Sequence, residues 1–173
     1  MISEKMNSLM VEQMHREYES AFMYLSIANY YESNGMEGYA RWYKIQSREE
    51  TDHALLFYNY LQMNDAKVYF RDIQATNKKF HDFKEPLEEA YTQEQFITES
   101  IEKIYELAVH ERDYGSQLFL NWFIQEQQKE EAEAVKQIHN LELYGNDSTN
   151  FLLLDRENGK RVYHGCKKIK NKE

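Results

Sequence analysis

The sequence predicts an all-α chain: a four-helix bundle with one long crossover between helices 2 and 3, and a short fifth helix at the C-terminal end. Three observations predict it. Breakers are scarce, with 1 proline and 6 glycines in 173 residues, while Glu, Gln, Lys, Leu and Ala, which favour long helices, are common. Four stretches repeat apolar side chains at three- and four-residue spacings, which marks a buried helix face. The one long interruption, from about 65 to 85, can run the length of a bundle. Twenty extended residues reach roughly 60 Å, whereas a 28-residue helix is about 42 Å long. The organisation is then 1–145 for the bundle, 146–159 for the fifth helix and 160–173 for a basic tail expected to be flexible.

The first helix is expected over about 3–33. Ser3 can cap it, and Asn34-Gly35 stops it. Its inward stripe reads Met6, Met10, Gln13, Glu17, Ser20, Tyr24, Ile27, Tyr31. The second, over about 37–64, follows a turn short enough to force antiparallel packing. Its stripe is Tyr43, Gln46, Glu50, His53, Phe57, Tyr60. The crossover holds mixed residues, including Val68, Tyr69, Phe70, Ile73 and Thr76-Asn77. The third helix begins at Pro86, where a missing N–H is harmless, and continues to about 114, with a stripe of Leu87, Ala90, Glu94, Ile97, Ile101, Ile104 and Ala108. The fourth spans about 115–144, with Leu120, Phe123, Gln127, Glu130, Ala134, Gln137 and Leu141 inward, and Gly145 after it. Asn146-Asp147-Ser148 offers caps for the fifth, about 149–158. Its run Phe151-Leu152-Leu153-Leu154 is too short for a core, and docks on the bundle or on another subunit.

Each of the four long helices carries a metal-ligating residue type in its apolar stripe: Glu17, then Glu50 with His53, then Glu94, then Gln127 with Glu130. A buried carboxylate is costly unless paired, hydrogen-bonded or bound to metal. One such residue has a bland explanation. Four, lying roughly 9 to 15 residues from their helix starts, fall in one layer of the bundle. Empty, the acids would repel; two divalent cations would neutralise them, with Glu50 free to bridge. Oxygen-rich ligation with one imidazole suits iron or manganese. Glu-x-x-His on a helix, as in Glu50 and His53, is a pattern of di-metal carboxylate bundles.

Composition excludes other classes. A net charge of -9 disfavours a nucleic-acid partner. The single cysteine, Cys166, allows no internal disulfide framework and suggests a reducing compartment. The N-terminal residues lack an apolar signal core, and no 18-residue apolar run occurs, so the expectation is a cytoplasmic protein with no membrane partner. The tail residues His164-Gly165-Cys166 offer one ligand pair, too few for a site.

These motifs resemble bacterial non-haem ferritins over the chain up to about Asp155. The resemblance rests on Glu17 with Tyr24 seven residues on, Glu49-Glu50-Thr51-Asp52-His53, Glu94, and the run from Trp122 to Glu130 with Glu126, Gln127 and Lys129 inside it. It implies a ferroxidase centre with two irons per subunit, one held by Glu17, Glu50 and His53, the other by Glu50, Glu94 and Glu130 with Gln127 nearby. It implies that Tyr24 hydrogen-bonds a ligand and can donate an electron. It further implies iron storage in a homo-oligomeric, 24-subunit shell that oxidises Fe(II) with O2 or H2O2 and deposits ferric oxide, with the fifth helix lining a fourfold axis.

The departures are informative. A third iron site in such proteins uses acids matching Glu49, Glu126 and Glu130, but Lys129 stands where another acid is expected, which weakens it. A haem-binding relative would carry methionine at Thr51 and Glu-x-x-His in place of Gln127-x-x-Glu130, so no haem is expected. One cysteine excludes a rubrerythrin. The alternatives are a di-iron peroxide-scavenging oxidase without a storage shell, a DNA-protecting miniferritin whose basic tail would match 160–172, and a bundle whose polar layer only fixes register.

Overall fold

A computed structural model of the chain describes residues 2–74, 78–145 and 147–165. Its helices are α1 (Glu4–Ser33), α2 (Glu37–Met63), α3 (Glu85–His110), α4 (Tyr114–Tyr144) and α5 (Ser148–Asn158), and no strand occurs among the described residues. None of the described helices is long and apolar enough to cross a membrane.

Local chemistry sets the helix ends. Ser3 caps α1 by accepting from the Met6 N–H at 3.0 Å. Gly35, with φ +77°, turns the chain into α2. At the α3–α4 junction the expected boundary moves: α3 stops at His110, not near 114. Arg112 adopts φ +55°, and Asp113 accepts from the Ser116 N–H at 3.0 Å as the cap of α4. The aspartate cap fixes the junction, and Gly115, expected as the first residue of the fourth helix, lies inside its first turn. Asp147 caps α5, accepting from the N–H groups of Thr149 and Asn150, both at 2.9 Å.

The described residues of the crossover meet α1 from one of its ends to the other. Asn7 donates to the Lys67 carbonyl at 3.1 Å. The Arg71 N–H donates to His15 Nε2 at 3.2 Å, and its guanidinium pairs with Glu12 and Glu19. At the far end Tyr31 OH donates to the Phe83 carbonyl at 2.7 Å. α3 therefore starts at the same end of the bundle as α2 and runs parallel to it, as the length argument required. Thr76-Asn77, Asn146, Cys166 and the lysines from Lys167 onward lie outside the described residues.

The buried core has two parts. One is aliphatic and Phe-rich, built from Met6, Met10, Phe57, Ile101, Leu120, Phe123 and neighbours. The other is rich in tyrosine, with Tyr24, Tyr31, Tyr39 and Tyr43 beside Ile27 and Leu87. The polar residues singled out above lie between them.

The fifth helix packs on α2 and α4. Phe151 faces inward against Phe83, ring centroids 4.9 Å apart, while Leu152 and Leu153 remain 50% and 51% exposed. α2 has no side-chain cap of its own at Met36. Asp155 of α5 supplies one, accepting from the Tyr39 N–H at 2.9 Å. Gly38 makes this approach possible, since a Cβ there would overlap the Asp155 carbonyl. Gly38→Ala should therefore lift α5 away at a cost of about 1–3 kcal/mol. Limited proteolysis would then cut between 148 and 165 much sooner, with the helicity of α1 to α4 retained; unchanged cleavage would refute the role given to Gly38.

Residues 160–165, the described part of the expected flexible tail, lie against α2. Arg48 sits 4.6 Å from the Tyr163 ring centroid, and Tyr163 OH donates to Asp52 Oδ2 at 2.5 Å.

Candidate metal centre

Helical periodicity carries Glu17 on α1 and both Glu50 and His53 on α2 into the layer between the two apolar clusters. All three are buried, and each offers a ligand atom within 4.8 Å of the others. His53 Nδ1 lies 3.1 Å from Glu50 Oε2. The rings of Trp122 and Phe123 flank the imidazole edge-on, at centroid distances of 5.5 and 5.9 Å. α4 contributes Glu126 and Glu130, which form a second, partly buried triplet with His53 inside the same 4.8 Å limit.

Glu94 of α3 stands one step aside from both triplets. Tyr24 OH donates to its Oε1. Gln127 Nε2 donates to its Oε2 at 3.0 Å and to its backbone carbonyl at 3.3 Å. Tyr24 and Gln127 thus both act as donors that orient Glu94. Glu94 and Glu130 line a cavity of about 20 Å³ together with Tyr24, Tyr43 and Gln46, room for one water-sized occupant.

Glu49 and Glu126 occupy the outer edge of the layer, each already paired with a cation. Arg161 Nη2 is 2.5 Å from Glu49 Oε2, and Lys129 Nζ is 2.6 Å from Glu126 Oε2.

Crowding acids away from water has a cost that their protonation records. Burial, then the neighbouring Glu50 charge, pushes Glu17 up to about 8. The same two causes push Glu130 up to about 7. Glu94 is held well above its ordinary range by burial, then by Glu50 and Glu130. For His53, burial pulls downward, but Glu50, Glu17 and Glu130 outweigh it and keep the imidazole well above its usual value. Glu17 Oε2 is buried and finds no hydrogen-bond donor among the described residues. Carboxylates that hold protons this tightly, one with an unpartnered oxygen, form a donor set that cations would relieve. Hard oxygens with one imidazole fit Fe(II).

Sequence reasoning passed over the residues that aim the ligands. Gln13 Nε2 donates to Glu17 Oε1 at 2.7 Å, and its own oxygen accepts from Ser100. Gln46 Nε2 donates to Glu50 Oε1 at 2.9 Å and to Glu130 Oε2 at 2.8 Å. A signal was present: both glutamines stand four residues before the acid they serve.

A family model described as a ferritin-like domain matches residues 7–144. The chain belongs to the ferritin family. It is 32% identical over 163 residues to a bacterial non-heme ferritin of Staphylococcus aureus, covering 94% of this chain and 98% of that one. Among solved structures it resembles an open-pore ferritin from the hyperthermophilic archaeon Archaeoglobus fulgidus, with TM-score 0.91, 31% identity and coverage of 94% and 100%. A closed form of that ferritin made by site-directed mutagenesis matches equally, at TM-score 0.91 and 31% identity, covering 94% of this chain and 99% of that one. This ferritin carries its polar layer wholly within the matched segment, whereas α5 and Arg161 lie beyond it.

Proposed function

We propose that this ferritin is an iron-storage protein that oxidises Fe(II) at a di-iron ferroxidase centre and deposits ferric oxide inside a 24-subunit shell. The observation that carries the reading is the buried triplet of Glu17, Glu50 and His53, with Glu94 and Glu130 near enough for the Glu50 charge to raise both. Fe(II) is the substrate. Glu17 and His53 would hold one ion, Glu94 and Glu130 the other, and Glu50 would serve both. Two Fe(II) together give up the two electrons that reduce O2 to hydrogen peroxide, and H2O2 is itself an acceptable oxidant. The chain's part is to gather the ions and to neutralise their charge, while Trp122 and Phe123 wall His53 off from solvent. Tyr24, hydrogen-bonded to Glu94, would orient that ligand and would supply one of the further electrons needed where the peroxide is reduced on to water.

Stopped-flow Fe(II) oxidation tests this. Glu94→Ala removes a ligand, not a group that only orients one, and should abolish the fast phase, a loss beyond the roughly 10–100-fold that orienting groups cost. An unchanged fast phase would leave the polar layer as a device for helix register.

The shell is favoured over a free-standing di-iron oxidase by α5, which turns Leu152 and Leu153 outward at about half exposure. Paired apolar residues on an exposed short helix suit burial against other subunits. Leu152→Glu with Leu153→Glu should convert the native particle to smaller species by light scattering, with oxidation at the centre retained. A native particle already the size of a monomer or dimer would decide for the free-standing enzyme.

A further inference from the structure

We propose that Arg161 is a built-in cation of the metal centre, a positioning residue that fills the acidic pocket beside the buried ligands and, through Gln46, fixes the carboxylates of Glu50 and Glu130. The proposal rests on the di-iron reading above and goes beyond it. α5 delivers this residue: Asp155 anchors the helix on the start of α2, Gly159 ends it, and two residues later the side chain reaches the layer.

The guanidinium is held by stacking and by hydrogen bonds from both of its terminal nitrogens. It lies over the Trp42 ring, 4.2 Å from the centroid. Nη1 donates to Gln46 Oε1 at 2.8 Å and to the Trp42 carbonyl at 3.4 Å. Nη2 donates to Glu49 Oε2 at 2.5 Å. From α2, Arg41 Nε donates to the Arg161 carbonyl at 3.2 Å.

A guanidinium only donates. It therefore meets the oxygen of the Gln46 amide and turns the NH2 group inward. Both amide hydrogens are then used, one on Glu50 at 2.9 Å and one on Glu130 at 2.8 Å. The reverse orientation would set an oxygen against two carboxylates and an NH2 against a cation. Arg161 thus decides which way Gln46 faces, and Gln46 tethers two acids of the layer from different helices.

The same residue limits the cations that the pocket accepts. Glu49, Glu126 and Glu130 are neighbours at the outer edge of the layer. The Lys129 side chain, 68% exposed, can swing off Glu126 at little cost. Arg161 is only 17% exposed and multiply bonded, so its charge stays. For the cation count the charge is what matters; the planar, stacked fork that orients Gln46 is what a flexible ammonium does not reproduce.

The test uses assembled, full-length protein and Co(II) alone, read by equilibrium dialysis and by the visible absorption of the bound ion. The unsubstituted protein should take up about two equivalents per chain. Arg161→Gln should admit about one more and shift the absorption of the first two, because Gln46 is no longer locked. Arg161→Lys keeps the charge and should hold uptake at about two, while its absorption follows that of Arg161→Gln. In a Gln46→Met background, adding Arg161→Gln should leave the absorption of the first two ions unmoved; where Arg161→Gln assembles poorly, Arg161→Lys reads the same spectral shift. Equal uptake and an unshifted spectrum in Arg161→Gln would overturn the proposal while leaving the di-iron reading intact. A protein whose Co(II) uptake is indifferent to Glu50→Gln would overturn both.

Discussion

Glu50→Gln should slow Fe(II) oxidation by at least about 100-fold and, in the same protein, raise the thermal stability of the metal-free form. Groups that merely orient ligands cost 10–100-fold when lost. Glu50 stands at the meeting point of both proposed metal positions, so its loss should exceed that range. The stability effect has the opposite sign for a physical reason. Glu17, Glu94 and Glu130 are each held protonated in part by the Glu50 charge. Removing that charge relieves three buried acids and costs one ion pair with His53. Gln keeps the shape and can still accept from Gln46. A polar layer kept only to fix helix register would behave otherwise: deleting its central member would destabilise the bundle and leave oxidation untouched. Calorimetry of metal-free protein beside stopped-flow oxidation separates the two. A lowered melting temperature with normal oxidation would sink the metal-centre reading.

The bundle was legible because its signals are local and periodic. Every residue that the stripes named on α1 and α3 is buried, since burial at three- and four-residue spacing is what a helix in a bundle needs, while Val11, Met14 and Ala28 of α1 are buried beside the stripe and were not named. The crossover was legible from length alone. The α3–α4 junction was less so, because two boundary signals compete within three residues and the Asp113 cap prevails over Gly115. The acids and His53 could be found as charged interruptions of apolar stripes. Gln13 and Gln46 were legible as stripe members but not in their role, because an amide in such a stripe is unremarkable and only its spacing from the acid marks what it does. Arg161 could not be found at all. It meets Gln46 from a sequence distance of 115 residues, through a glycine-enabled docking of α5 that no period encodes, and a basic tail reads as a solvated one.

Metal-free protein should lose stability as pH rises from about 5 to about 8, contrary to the usual rise over the acid half of that range. The sign follows from the direction of each shift. An acid whose folded value is raised binds its proton more tightly when folded, so its contribution is full below the unfolded value and is lost on the way to the folded one. Glu17, pushed up to about 8, and Glu130, pushed up to about 7, set the upper end of the window; Glu94 acts in the same direction. His53 is also raised, so its stabilisation too fades as pH climbs through its folded value. Asp82 and Glu142 are lowered by hydrogen bonds, Asp82 to backbone N–H groups and Glu142 to Lys84. Their contribution is lost only as pH falls below the ordinary carboxylate range, outside this window. These neighbours titrate as a group, so one broad decline is expected, on the order of 5–10 °C in melting temperature. Saturating Zn(II) should abolish the decline, because cations take over the charge that protons neutralise. Zn(II) binding near pH 6 should release protons, seen as a calorimetric heat that changes with the ionisation enthalpy of the buffer. A metal-free melting temperature that is flat or rising across the window, with no proton release, would mean that the acids are solvated and that the centre is not closed as described.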